Sequence, residues 1–277
     1  MSRENILLCG LPDSGKTTFI AALWYQLFQK EIPTSLSLVT LPSNREYLNK
    51  LSGKWSRVTP IDRTATEEIQ EISLHLKDNE TSNELELHVP DMSGETWENI
   101  WSNRSCAVHT AEWSQDASGV MLFIHSDKIR QPIDIEINND AQASEQTDSK
   151  EVSWAPNRAP TQVMLVDILQ ALSSQQLQKN RRRLAVIISA WDKAEVTGLT
   201  PEEYVSTYLP LLNQFLNNSG MFSQVMIYGV SALGGDLESE VEIEKLKSED
   251  IPSNRIKVVE GSESHHDLTG PIKWLMS

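Results

Sequence analysis

Basic residues are in short supply: 24 Lys and Arg stand against 39 Asp and Glu, a formal charge of -15. Such a chain is a poor candidate for binding nucleic acid, because neutralising phosphates supplies most sequence-independent affinity. No apolar run approaches the roughly 20 residues needed to span a bilayer. The opening, Met-Ser-Arg-Glu-Asn-Ile-Leu-Leu-Cys-Gly, is too short in its apolar part for a signal peptide. These absences predict a cytoplasmic protein with no integral membrane segment and no nucleic-acid partner. With only two cysteines, Cys9 and Cys106, a disulfide framework is excluded. Cys9 closes an apolar strand and reads as a small buried hydrophobe. What is present is 39% hydrophobic content over 277 residues, enough for one generous domain with insertions or for two small ones.

The apolar pattern alternates between strand and helix. Asn5 to Leu8 reads as a short buried strand running through a Gly-rich turn into an amphipathic helix that starts near Lys16. Phe19, Ile20, Leu23, Leu27 and Phe28 keep helical spacing until Pro33 ends the pattern. A polar connection with Pro42 and Pro60 follows. Period-two alternation in "EIQEISLHLKD" and "ELELHVPD", separated by "NETSN", predicts an antiparallel hairpin. "GVMLFIH" at 119–125, "LAVIISAW" at 184–191 and "QVMIYGVSA" at 224–232 are continuous apolar runs, as in strands covered on both faces of a parallel sheet. Helical patterns from Gln162 to Leu177 and from Pro201 to Leu216 lie between them. The prediction is an α/β fold with right-handed crossovers. Residues 127–160 read as a polar, acidic insertion, and Asp236 to Asp250 as an acidic connection to a terminal helix containing Trp274 and Leu275.

"GLPDSGKT" at 10–17 fits G-x-x-x-x-G-K-[ST] and lies between a buried strand and a helix. Gly10 and Gly15 allow the backbone to wrap closely around phosphate, with N–H groups and the helix N-terminus aimed at negative charge. Lys16 supplies a cation for β and γ phosphates, and the Thr17 hydroxyl suits Mg²⁺. Asp13, Ser14 and Thr18 complete the predicted nucleotide-binding loop. "VPDMSGE" places Asp91 at the carboxyl end of the sheet, where open α/β sheets bind ligands. Asp91 can hold magnesium through water, and Gly94 can offer its N–H to a γ phosphate.

The order of P-loop, hairpin and D-x-x-G resembles the TRAFAC class of Ras-like and translation-factor GTPases over roughly residues 4 to 235. The resemblance implies a three-layer P-loop NTPase fold, mostly parallel with one antiparallel hairpin strand: a Ras-like G domain at 1–235, with 236–277 packing on it. "ISAWDKAE" stands where the class has [NT]-K-x-D, which puts Asp192 on the guanine nitrogens. "GVSALGG" stands where it has S-A-K, which gives Ser231 and the Ala232 N–H to the base. Ser189 and Ala190 depart from that pattern, so guanine preference rests mainly on Asp192. Trp191 is either core cover or a stacking surface for the base. Glu95 occupies the position of a water-orienting Gln and can still accept a proton or hold water. Thr59, Thr64 and Thr66 all qualify as the Mg²⁺-sensing Thr of switch I, with Thr64 preferred as metal ligand and catalytic-site residue.

"LLCGLPDSGKTTFIAALW" is most similar to the bacterial double-GTPase families, and less so to the signal recognition particle receptor beta subunit and the Arf group. The similarity implies a GTP-binding, GTP-hydrolysing switch that uses Mg²⁺ and engages protein partners through its switch regions. It also implies a bacterial multi-protein setting of the conflict or defence type. Two alternatives stay open: a nucleotide-dependent binding module with negligible turnover, and an ATPase with a degenerate base pocket. On this reading Gly94→Ala weakens triphosphate binding and spares diphosphate. Other clusters carry less. His265, His266 and Asp267 lack a distant metal-ligand partner. Arg181 to Arg183 read as a solvated helix end that complements the helix dipole. Trp97 and Trp101 share one side of a helix, either as core or as a partner-facing patch.

Overall fold

Strand and helix alternate in a nine-stranded sheet that carries helices on both faces. The computed structural model describes residues 2–61, 70–132, 155–174, 177 and 181–277. The strands are β1 (Ser2–Cys9), β2 (Leu36–Thr40), β3 (Gln70–Asp78), β4 (Glu84–Asp91), β5 (Gly119–His125), β6 (Arg183–Ser189), β7 (Gln224–Ser231), β8 (Lys257–Glu260) and β9 (Glu263–His265). Their spatial order is β2-β3-β4-β1-β5-β6-β7-β8-β9. The centre, from β4 to β7, is parallel. Antiparallel ribbons finish both edges, β2-β3-β4 on one side and β7-β8-β9 on the other.

Period-two alternation explains the two cores. In β1, Ile6 and Leu8 join one buried cluster, while Leu7 and Cys9 join the other. The same split separates Met121 and Phe123 from Val120, Leu122 and Ile124 in β5. Both faces are covered, so these strands carry unbroken apolar runs. Burial pushes the Cys9 thiol up to about 12, as expected for an inert core cysteine.

Helices α1 (Lys16–Gln29) and α2 (Arg45–Ser56) cover the first face. The second face carries α3 (Gly94–Asn103), α4 (Val108–Asp116) and α5 (Thr161–Leu172). After β6 come α6 (Trp191–Ala194), α7 (Pro201–Tyr208) and α8 (Pro210–Asn218). The chain closes through α9 (Glu240–Lys247) and α10 (Thr269–Met276), the latter in the first core. Thr200 and Glu203 form a reciprocal capping box at the start of α7, with Pro201 in its first turn.

Several expectations change here. The single helix expected from Pro201 to Leu216 is two helices, because Pro210 has no N–H to continue the ladder and restarts the chain as the first residue of α8. The helix expected to run to Leu177 ends at Leu172. The polar connection after α1 contains β2 and α2, anchored by buried Leu36, Leu48, Leu51 and Trp55. The acidic tail contains α9, β8 and β9 in addition to the terminal helix. His265, His266 and Asp267 serve structure: Asp267 accepts from the Ser35 and Thr269 N–H groups, and His266 meets the Ile256 carbonyl. No group of three or more His, Cys, Asp or Glu is placed to hold a metal ion among the described residues.

Arg182 also departs from expectation. It is 3% exposed rather than solvated, and its guanidinium donates to Ser114 O at 2.6 Å, to Leu177 O at 3.2 Å and to Leu172 O. One side chain thus satisfies carbonyls near the ends of α4 and α5. Burial lowers its pKa to about 10, so it stays charged at neutral pH. Arg182→Met leaves these buried acceptors without donors. We expect a loss of about 2–4 kcal/mol, read as a fall in Tm of roughly 5–10 °C in thermal unfolding.

Candidate functional site

Because β4, β1, β5, β6 and β7 run parallel, their carboxyl ends share one edge of the sheet, where open α/β sheets present ligand sites. The loop from Gly10 to Gly15 rises there between β1 and α1. Gly10 has φ +149°, and a Cβ on it would lie 2.5 Å from the Phe123 carbonyl oxygen of β5. Asp13 (φ +58°) and Gly15 (φ +90°) take left-handed conformations, which fold the loop into a concave nest at the helix N-terminus.

Lys16 is 6% exposed, and its ammonium donates to Gly10 O at 2.8 Å, Leu11 O at 3.2 Å and Ser14 Oγ at 3.1 Å. Its stem is therefore packed, not held on an open turn, and its charge also ties the loop together. Ser189 Oγ donates to Ser14 O at 2.8 Å, so the residue that departs from the Asn or Thr pattern still clamps the loop to β6.

A cavity of about 220 Å³ lies over this loop. It brings together the loop residues from Asp13 to Thr18 with Gly94 and Glu95 at the start of α3. Asp91 ends β4 beside it, in register with Gln70 of β3. The Asp91 side chain, and Thr64 and Thr66 entirely, lie outside the described residues. Thr59 is described, and its hydroxyl donates back to Lys54 O at 3.0 Å.

A second cavity, of about 340 Å³, shares Gly15, Thr18 and His125 with the first and extends to Asp192, Ser231 and Ala232. Ser231 Oγ donates to Asp192 Oδ1 and accepts from the Gly234 N–H at 3.2 Å, which fixes the carboxylate at the cavity wall. Trp55 Nε1 donates to Ala232 O at 2.8 Å and steadies the same loop from α2. Trp191 does not face this cavity as a stacking surface. Its ring is buried at 1% exposure, packs edge-on to Tyr204 at 5.7 Å, and lies where a Cβ on Gly229 would come within 2.3 Å. Trp97 is likewise core. Trp101 is spoken for, with Nε1 on Pro156 O at 2.8 Å and Arg104 over its ring.

Three cavity residues carry no motif and escape sequence reading: His125, Lys128 and Lys193. The signal for His125 is its place at the end of β5, on the shared edge. Asp127 N–H donates to His125 Nδ1 at 3.2 Å, leaving the proton of the neutral ring on Nε2. Burial, then Lys128 and Lys193, hold its pKa below the usual histidine range, so the ring is neutral at pH 7.

A buried parallel strand passing through this loop into a helix, at the carboxyl edge of an α/β sheet, defines the P-loop NTPase fold. The family model described as Double-GTPase 1 matches residues 7–275, and the chain belongs to that family. A comparison with curated protein sequences found no match. Among solved structures, the chain is 16% identical to the bacterial selenocysteine-specific elongation factor EF-Sec, covering 89% of this chain and 28% of that one, with a TM-score of 0.39. The S. cerevisiae Ski7 GTPase-like domain bound to GTP is 15% identical, with 84% and 44% covered and a TM-score of 0.42. Sup35 complexed with GDP is 14% identical, with 85% and 38% covered and a TM-score of 0.37. The chain thus spans less than half the length of each of these structures. No helix among the described residues is long and apolar enough to cross a membrane.

Gly94 touches the phosphate loop directly. A Cβ there would lie 2.3 Å from Pro12 N and Cα and 2.7 Å from the Leu11 carbonyl carbon, all backbone atoms. The expectation that Gly94→Ala acts on one nucleotide state alone is therefore replaced. The methyl must push the loop aside whatever is bound, a strain of about 1–3 kcal/mol. Hydrogen exchange should show faster exchange at the amides of Leu11, Asp13 and Ser14, with a lower Tm. Unchanged protection at those amides would show that α3 yields instead of the loop.

Proposed function

We propose that this protein binds guanine nucleotide with Mg²⁺ and hydrolyses GTP to GDP and phosphate, as a switch. The observation that carries this is the joining of two cavities at Gly15, Thr18 and His125, with Lys16 at one end and the Asp192–Ser231 pair at the other. A nucleoside triphosphate has the same layout, anionic at one end and with a polar base edge at the other. An ionised Asp192 is a pure acceptor. It matches the N1–H and exocyclic amine of guanine, whereas adenine presents an acceptor at N1.

Gly10, Asp13, Ser14, Gly15 and Thr18 would cradle the phosphates, and Lys16 would turn its ammonium from the loop carbonyls to the β and γ oxygens. Ala232 would offer its N–H to the guanine carbonyl. The oxygen donors suit a hard cation: Thr17 lines the first cavity and Asp91 ends the adjacent strand. Mg²⁺, when bound, neutralises charge on the β and γ phosphates. Glu95, in the first turn of α3, lines the same cavity and would hold the attacking water. Gly94, packed on Pro12, would sense the γ phosphate, and α3 would carry that state to a protein partner. β8 continues the sheet from β7, which favours treating 236–277 as part of one G domain.

Nucleotide released by denaturing the purified protein should be guanine nucleotide, and multiple-turnover phosphate release should be abolished by Lys16→Ala. Asp192→Asn exchanges a pure acceptor for an amide with one donor and one acceptor. Xanthine, whose C2 oxygen replaces the amine, then fits better. Preference should move from GTP towards XTP by more than about tenfold, roughly 1–3 kcal/mol per unmade bond. ATP binding equal to GTP, unchanged by Asp192→Asn, would remove the guanine assignment. Tight GTP binding without phosphate release would leave a binding module in place of an enzyme.

A further inference from the structure

Only two ammonium groups border the base-side cavity among the described residues, Lys128 and Lys193. Lys193 is engaged by two carboxylates, Asp127 and Asp236, each at 2.9 Å. These partners raise its pKa, so the group is a fixed cation at the cavity rim. Lys128 differs. It is about half exposed, and its ammonium stands 3.4 Å from Asp13 Oδ2, on the phosphate loop itself.

Asp13 adds a negative charge to the phosphate loop. Asp13 lines the cavity where polyphosphate would bind, and like charges brought close there repel. Lys128 comes from a different part of the chain, the single 3-10 turn Ser126–Lys128 after β5, and reaches that carboxylate. The turn is braced. Ser126 Oγ donates to Ala190 O at 2.8 Å, and Tyr204 OH donates to Ser126 O at 3.0 Å. Asp127 pairs with Lys193 on the next loop. Ala190 also lines the cavity, and its single methyl takes up little of the space that a longer side chain such as that of Lys128 can cover.

We propose that Lys128 is a nucleotide-contacting residue, its stem against the base and ribose and its ammonium between Asp13 and the phosphates. This rests on the guanine-nucleotide reading above. The turn after β5 then acts as a further element of the site and couples the phosphate loop to the base loop. Neither lysine lies within a sequence motif.

Affinities for GDP and for guanosine separate the two parts of the role. Lys128→Met keeps the stem and removes the charge. It should bind GDP about tenfold more weakly and guanosine within about twofold of the unaltered protein. Lys128→Ala should weaken both ligands. Adding Asp13→Asn to Lys128→Met should restore part of the GDP affinity, since a negative charge facing the phosphates is gone. The proposal is overturned if both Lys128 variants bind GDP as the unaltered protein does. It is also overturned if Lys128→Met loses guanosine and GDP equally. Absence of GDP binding by the unaltered protein would remove the guanine reading and this proposal together. Normal binding by the unaltered protein and by both variants would remove only this one.

Discussion

Close packing of the Gly10 to Gly15 loop against its neighbours is the constraint on which the site depends. The loop is touched from β5 by the Phe123 carbonyl, from β6 by the Ser189 hydroxyl and from α3 by Gly94, and it is held from within by Lys16. At Gly10 and Gly94 the contact is too close for a larger group. A loop with this little freedom holds its backbone in one shape, and on the proposed reading only the Lys16 ammonium has to turn to meet an anion. The same crowding joins the loop to α3, because backbone meets backbone at Pro12 and Gly94 with no side chain between them to absorb movement.

The parallel centre of the sheet supplies what the loop cannot. Five strand ends on one edge bring together residues as distant in sequence as Lys16, His125, Asp192 and Ser231. The polar groups lining the second cavity are fixed by their own neighbours: Ser231 orients Asp192, and Trp55 holds the Ala232 carbonyl. Gly229 has a different task. It makes room for Trp191, whose ring anchors the turn that carries Asp192 in the second core. Charge is arranged with the same economy, since a strongly acidic chain places Lys16, Lys128 and Lys193 in the walls of two neighbouring cavities.

Much of this was legible in order along the chain. The parallel strands announced themselves as apolar runs, and the β3-β4 hairpin by alternation around a polar turn. "GLPDSGKT" carried its reading because strand and helix flank it, and D-x-x-G gained meaning from its place after a hairpin. Edge elements were not legible. Strand β2 is five residues with its last two exposed, β8 is four residues with a charged residue at each end, and β9 is three polar residues, so none shows the run that marks a buried strand. The division of α7 from α8 was written in Pro210 but outweighed by helical spacing on both sides of it.

By itself, the sequence determined the class of fold, the Gly-rich loop between strand and helix and the positions of the parallel strands, because those depend on local spacing and on which residues tolerate a buried strand. Tertiary structure alone decided which side chains are walls, which are core and which are clamps. Trp191 lies beside Asp192 in sequence but points into the core, while Lys128, more than sixty residues away, shares the cavity with Asp192. Arg182 sits in a run of three arginines, yet it is buried on helix-end carbonyls contributed by two other segments. Direction at a strand end is set by what packs against it from across the sheet, and that information is not local.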